Sequence, residues 1–201
     1  MLHADARFSE AVARKVAELE QRTDAEIVVV AATRSGSYRD LELLGAAGVG
    51  LVTLAVLVLL PWPVHPLLSL LDVTCAFGVS AFTFLGRAFV LQLSTADRRA
   101  RQVLTAAAAE FHLEAVHATP RRTGVLVYVS AQEGLVEIVG DVGVEALVPR
   151  AEWAEVVRTV RGADLPDFLA GLDRVGDVLA RFVPRAGERG VALADAPRIR
   201  T

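Results

Sequence analysis

A stretch without a single formal charge, Leu43 to His65, constrains this chain more than any other feature. Its centre, LLGAAGVGLVTLAVLVLL, is 18 residues long. As a helix it would reach roughly 27 Å at ~1.5 Å per residue, close to the hydrocarbon thickness of a bilayer. A second apolar run, Leu67 to Gly86, is broken only by Asp72. Between the runs, Pro61, Pro63 and Pro66 cannot continue a helix, and Trp62 suits a membrane–water interface. Neither run has the polar face that a core helix of a soluble bundle would present to water. The pattern predicts a transmembrane helical hairpin within residues 41–92, with spans near 42–60 and 67–90. Asp72, close to the prolines, reads as an interfacial carboxylate, and Cys75 as a small membrane-packing residue.

The arginines orient this hairpin. Arg34 and Arg39 precede the first run, Arg87, Arg98, Arg99 and Arg101 flank the end of the second, and the connecting loop has none. The positive-inside rule therefore predicts a two-span protein of the cell (bacterial inner) membrane, both termini cytoplasmic and the loop outside. The start, MLHADARFSEAV, is charged and lacks the apolar core of a cleavable signal peptide.

Composition narrows the function classes. An apolar share of 53% against 22% charged residues excludes a disordered chain. A net charge of −3 carries no broad basic surface and predicts no nucleic-acid partner. The single cysteine excludes an intramolecular disulfide and a cysteine-rich metal site.

The polar remainder alternates helix and strand signals. Phe8, Val12, Val16 and Leu19 recur at helical spacing within residues 5–23, and Glu26 to Thr33 is a β-branched run of the kind buried on both faces. After the hairpin a helix capped at Ser94 or Thr95 runs to about Val116. Strands follow at Gly124–Ser130 and Leu135–Gly140, joined closely enough to be antiparallel. Two amphipathic helices come next, one bearing Trp153, Val156, Val157 and Val160. The other bears Phe168, Leu172, Val175, Leu179 and Phe182, with Asp164 as its N-cap and Pro166 in its first turn. Neither polar piece has enough elements to close a core. Together, residues 1–40 and 93–190 predict one discontinuous α/β domain: a small α/β/α sandwich on a short mixed sheet, interrupted by the hairpin, with 191–201 an irregular tail.

Four segments of this remainder resemble the TPM domain family, named for TLP18.3/Psb32-like thylakoid proteins and the MOLO-1 proteins. Glu20-Gln21-Arg22-Thr23-Asp24-Ala25-Glu26-Ile27-Val28-Val29 is similar to the family's E-x-x-T-x-x-E-I-V-V. Thr119 to Ser130 is similar to its T-x-x-R-x-G-V-L and strand, Val136 to Val144 to its G-D-x-G-I turn, and Asp177 to Pro184 to its L-x-x-x-F-P ending. The inserted hairpin resembles a bacterial membrane-bound branch. The resemblance implies an α/β/α sandwich and a role in assembly or maintenance of membrane protein complexes. It also implies calcium binding in some members and acid phosphatase activity in plant relatives. The family's Asp-containing segment before the first helix has only Asp5 as its counterpart here.

If the first two strands are parallel and the third antiparallel, one sheet end gathers Thr23, Asp24 and Glu26 with Arg121, Arg122, Thr123, Asp141 and Gly143. Asp141, Glu26 and Asp24 are then candidate ligands for a hard cation, Ca²⁺ or Mg²⁺. Arg121, Arg122, Thr123 and Gly143 are candidate contacts for a phosphate or a partner's carboxylate. The competing reading makes the same residues strand-end and capping groups, with Gly140 and Gly143 serving turn geometry. His112, His117, Glu110 and Glu114 read as a solvated helix end or a second metal site. No serine or cysteine triad pattern, CxxC, HExxH or phosphate-cradling glycine loop is present, so no haem or nucleotide cofactor is expected. Two functions follow: a membrane-anchored, cytoplasmic-side interaction or assembly module for a membrane protein complex, or a divalent-metal-assisted phosphatase.

Overall fold

A computed structural model describes residues 5–61, 65–82, 94–160, 164–186 and 196–200. The described residues form seven α-helices and four strands, and the chain divides into two compact units, 1–35 with 100–201, and 36–99.

The first unit is built on a four-stranded mixed sheet. Strands β1 (Glu26–Ala32), β2 (Gly124–Ser130), β3 (Leu135–Gly140) and β4 (Arg198–Arg200) lie in the order β3-β2-β1-β4. β1 pairs in parallel with β2 from Glu26↔Gly124 onward, and β2 pairs antiparallel with β3 from Val125↔Gly140. Parallel neighbours need a long crossover. Here it holds the entire second unit and a helix.

Burial on both faces explains why β1 and β2 are almost wholly apolar. Ile27, Val29, Ala31, Val125, Val127 and Val129 face one layer of helices. That layer comprises α1 (Ala6–Glu20), α6 (Arg150–Thr159) and α7 (Leu165–Phe182), with Phe8, Val12, Val16, Leu19, Phe168, Leu172 and Leu179 buried in the shared core. Val28, Val30, Ala32, Leu126 and Tyr128 face the other way, onto Val103, Ala107 and Phe111 of α4 (Ala96–Leu113). This is the α/β/α sandwich. Asp164 caps α7 through the Asp167 amide at 2.9 Å, with Pro166 in its first turn.

Two expectations need correction. The G-D-x-G segment is the start of a further short helix, α5 (Val142–Leu147), capped by Asp141. One turn of apolar residues after a turn-like glycine carries too little periodicity to announce a helix. The tail is also not wholly irregular, because Arg198–Arg200 adds a parallel edge strand to Val30–Ala32. A three-residue strand has no periodicity to read, and its partner is distant in sequence. Residues 191–195 lie outside the described set.

The second unit holds α2 (Arg39–Leu59) and α3 (Pro66–Phe82). α2 is 21 residues long, with a mean hydropathy of 2.2 over its central window and 11% of that window buried, long and apolar enough to cross a membrane. Its two buried residues, Ala46 and Gly50, are four apart. That spacing puts small side chains on one stripe, where another helix can come close. A methyl group on Gly50 would lie 3.7 Å from Phe77 Cβ and 3.8 Å from Val73 Cγ1 of α3. At the base of the unit, Arg98 binds the Asp40 carboxylate through two bonds of 2.9 and 2.8 Å and covers the Tyr38 ring at 5.8 Å. Asp72 and Cys75 are exposed on α3. Trp62, Arg87 and the rest of the expected second span, 83–90, fall outside the described residues.

Candidate functional site

The starts of β1 and β2 and the end of β3 lie side by side, as parallel and antiparallel pairing requires. The four segments that carry the family resemblance meet at this end. The first meets the last directly: Thr23 Oγ1 donates to the Val183 carbonyl at 2.6 Å, the Asp24 amide donates to the same carbonyl at 3.1 Å, and Thr23 forms an isolated bridge with Pro184. Glu20 is buried, and its Oε1 accepts from the Ile27 amide at 2.9 Å, tying the end of α1 to the first turn of β1.

The second and third segments lock together more tightly. The Gly143 amide donates to the Arg122 carbonyl at 2.8 Å, and the Asp141 amide to the Gly124 carbonyl at 2.9 Å. Arg122 holds a left-handed backbone conformation, φ 55°, which costs a non-glycine residue energy unless its surroundings fix it. The fixing group is its own side chain. Arg122 Nε and Nη2 donate to Asp141 Oδ2 and Oδ1 at 2.7 and 2.9 Å, a two-bond fork. Asp141 Oδ1 also accepts from the Val142 amide at 2.8 Å, capping α5. Gly143 is required by close approach: a methyl group there would sit 2.5 Å from the carbonyl oxygens of both Arg121 and Arg122.

The electrostatics follow from these contacts. Burial alone would raise the Asp141 pKa, but the Arg122 hydrogen bonds and the Val142 amide outweigh it and hold the carboxyl below its usual range. The Arg122 guanidinium is pushed up by the same pair. Asp24 accepts from Arg121 Nη1 at 2.8 Å and from the Ala186 amide at 3.2 Å. Thr123 Oγ1 donates to the Asp24 carbonyl at 3.2 Å.

The candidate residues thus gather as the strand topology predicts, with each of the two aspartates facing an arginine. Glu26 stands at the first position of β1, in register with Gly124. A hard cation needs six or more oxygen ligands, and here it would compete with Arg121 and Arg122 for the same carboxylates. Among the described residues no group of three or more His, Cys, Asp or Glu is spaced to hold a metal ion. Chemically, the arrangement offers two guanidinium groups, 57% and 52% exposed, on a turn braced from three sides. Such a surface suits recognition of carboxylate or phosphate oxygens.

Glu110 and Glu114 form no site with the histidines. They bind the arginines of β4: Arg198 Nε to Glu114 at 2.7 Å, and Arg200 to Glu110 at 3.0 Å and to Glu114 at 2.5 Å. The His112 and His117 rings lie 5.2 Å apart.

Sequence reasoning missed a second polar cluster, at the opposite sheet end. Ser35 Oγ donates to Tyr128 Oη at 3.1 Å and to Ser130 Oγ at 2.5 Å, Ser130 Oγ donates to Glu133, and Glu133 accepts from the Ser35 amide at 3.3 Å. Burial raises the Tyr128 pKa. Ser35, Ser130 and Glu133 are unremarkable turn residues in the sequence, and only strand pairing joins them.

Comparison with known proteins bears on the fold. The structure of protein BA42 from the psychrophilic bacterium Bizionia argentinensis aligns with 97% of this chain and 94% of its own, with a TM-score of 0.58 at 15% identity. The chain therefore shares a mixed α/β fold with that protein. No protein-family model matches the chain, and no curated protein matches it.

Proposed function

We propose that this chain is a membrane-anchored TPM-like domain that acts as a cytoplasmic-side interaction or assembly module for a membrane protein complex. The observation that carries the reading is α2. Its leucines and valines point outward on several sides, with Leu51, Val52, Val58 and Leu59 between 65% and 82% exposed. So much contiguous apolar surface on a 21-residue helix calls for lipid. α3 is similar, with Leu67 and Leu70 exposed, and supplies the second span of the proposed hairpin. The arginine distribution places both termini on the cytoplasmic side. The convergence of all four resemblance segments at one sheet end supports the TPM-like assignment, and the braced Arg121–Arg122 turn supports docking. No observation favours the phosphatase alternative, which would draw on carboxylates already bound to arginine.

Three measurements test the reading. The chain should stay in the membrane pellet through alkaline carbonate extraction. Reporters fused to either terminus should read cytoplasm, and one at His65 should read the outside. A photo-crosslinking residue at Arg121 should capture a membrane protein. Release into the supernatant refutes anchoring, an outside C-terminus refutes the orientation, and no adduct at Arg121 refutes docking there. Thermal unfolding with millimolar Ca²⁺ or Mg²⁺ addresses the cation expectation: a rise abolished by Asp141→Asn would establish a site and reverse our preference.

A further inference from the structure

β4 covers only the last three of the seven residues of β1. Its hold is nonetheless specific. The Thr33 amide donates to the Arg200 carbonyl at 2.9 Å, and Thr33 Oγ1 donates to the same oxygen at 3.3 Å, closing the parallel ladder. In a strand, residues two apart point the same way, so Arg198 and Arg200 both turn toward α4. There Glu110 and Glu114, one helical turn apart, receive them. Arg200 donates to both carboxylates and Arg198 to Glu114. Ile199, between them, points away and stays 46% exposed. The segment is thus held by backbone pairing and two arginines, with little apolar burial. A strand held by main-chain bonds and charge alone is the pattern of peptide recognition by strand addition, and its polar contacts can be remade with another chain.

We propose that the free edge of β1 and the Glu110–Glu114 face of α4 form a docking slot for an extended peptide with arginines at positions i and i+2, which the chain's own Arg198–Arg200 fills in cis. The carboxylates are largely covered, 15% and 13% exposed. Removing the cis segment leaves two acidic groups beside an open strand edge, a charge and hydrogen-bond complement to any Arg-x-Arg strand. The proposal deepens the docking reading by naming a partner chemistry. It rests on contacts within the α/β domain, so it stands or falls separately from membrane anchoring and from Arg121.

The test uses the full chain in detergent and a fluorescein-labelled peptide of sequence APRIRT, which reproduces residues 196–201. The intact protein should bind it weakly, because the tethered copy competes at millimolar effective concentration. A chain ending at Asp195 should bind it saturably and at least about tenfold more tightly. Glu110→Gln with Glu114→Gln in the shortened chain should weaken binding by about tenfold or more, since each arginine loses a charge-assisted partner. If shortening unfolds the protein, the full-length Arg198→Glu, Arg200→Glu variant opens the slot instead and should bind the wild-type peptide. A folded, opened protein that does not bind at millimolar peptide overturns the proposal, and so does binding indifferent to the two glutamines.

Discussion

Replacing Asp141 distinguishes a structural carboxylate from a ligand waiting for a cation. Its side chain is 3% exposed and accepts three hydrogen bonds, two from Arg122 and one from the Val142 amide. Asp141→Ala removes all of them, and with them the cap of a six-residue helix. A lost cap costs about 0.5–2 kcal/mol, and a hydrogen bond to a charged group about 1.5–3 kcal/mol. Arg122 is half exposed and can return to water, so the lower values apply and the sum is about 2–3 kcal/mol. Asp141→Asn keeps one acceptor for the cap and should cost about half as much. For a chain of this size each kcal/mol moves the melting temperature by roughly 2–4 °C, giving a drop of about 4–12 °C for the alanine variant. Of the two tryptophans, Trp153 lies beside this end, its ring 3.3 Å from where a methyl on Gly140 would be, and Trp62 belongs to the hairpin loop. Fluorescence melts in a Trp62→Phe background therefore report the domain. The pH dependence has a definite sign. The folded pKa of Asp141 is depressed, so its contribution is complete above the unfolded value of about 3.9 and fades as pH falls through the lower folded value. The gap between parent and Asp141→Ala should close at acidic pH. A gap below about 0.5 kcal/mol at pH 7 in metal-free buffer would refute the reasoning, because the pair would then contribute nothing measurable.

Three further outcomes follow from the same geometry. Gly143→Ala should destabilise by about 1–3 kcal/mol in the same melts because its methyl meets two backbone carbonyls, whereas Gly176→Ala should cost less because its methyl meets the movable end of Leu19. Glu137, whose pKa is raised by burial, stabilises the fold below its unfolded pKa and progressively less as pH rises through the folded value. Glu137→Val should therefore raise stability at pH 7 by about 0.5–1 kcal/mol, with no gain near pH 3. Val52→Arg, on the exposed middle of α2, should add about 2.5–3.5 kcal/mol to membrane insertion and reduce the carbonate-resistant fraction.

The sequence by itself determined the elements whose pattern is local. Strand Gly124–Ser130 was legible to the residue because burial on both faces forces an unbroken apolar run, and α7 because its cap, proline and apolar stripe agree. The lipid-like character of residues 43–60 needed only composition. The topology also let the sequence place Asp24, Thr123, Arg121, Arg122 and Asp141 at one sheet end. What those residues do there was decided by the tertiary structure alone. Whether a carboxylate faces a second carboxylate or a guanidinium depends on side-chain directions across paired strands, and no spacing along the chain records it. The same limit hid the Ser35–Ser130–Glu133 cluster and the seating of Arg198 and Arg200 on α4. Each joins residues about 84 to 98 positions apart, and contacts of that range exist only once the sheet has brought distant segments together.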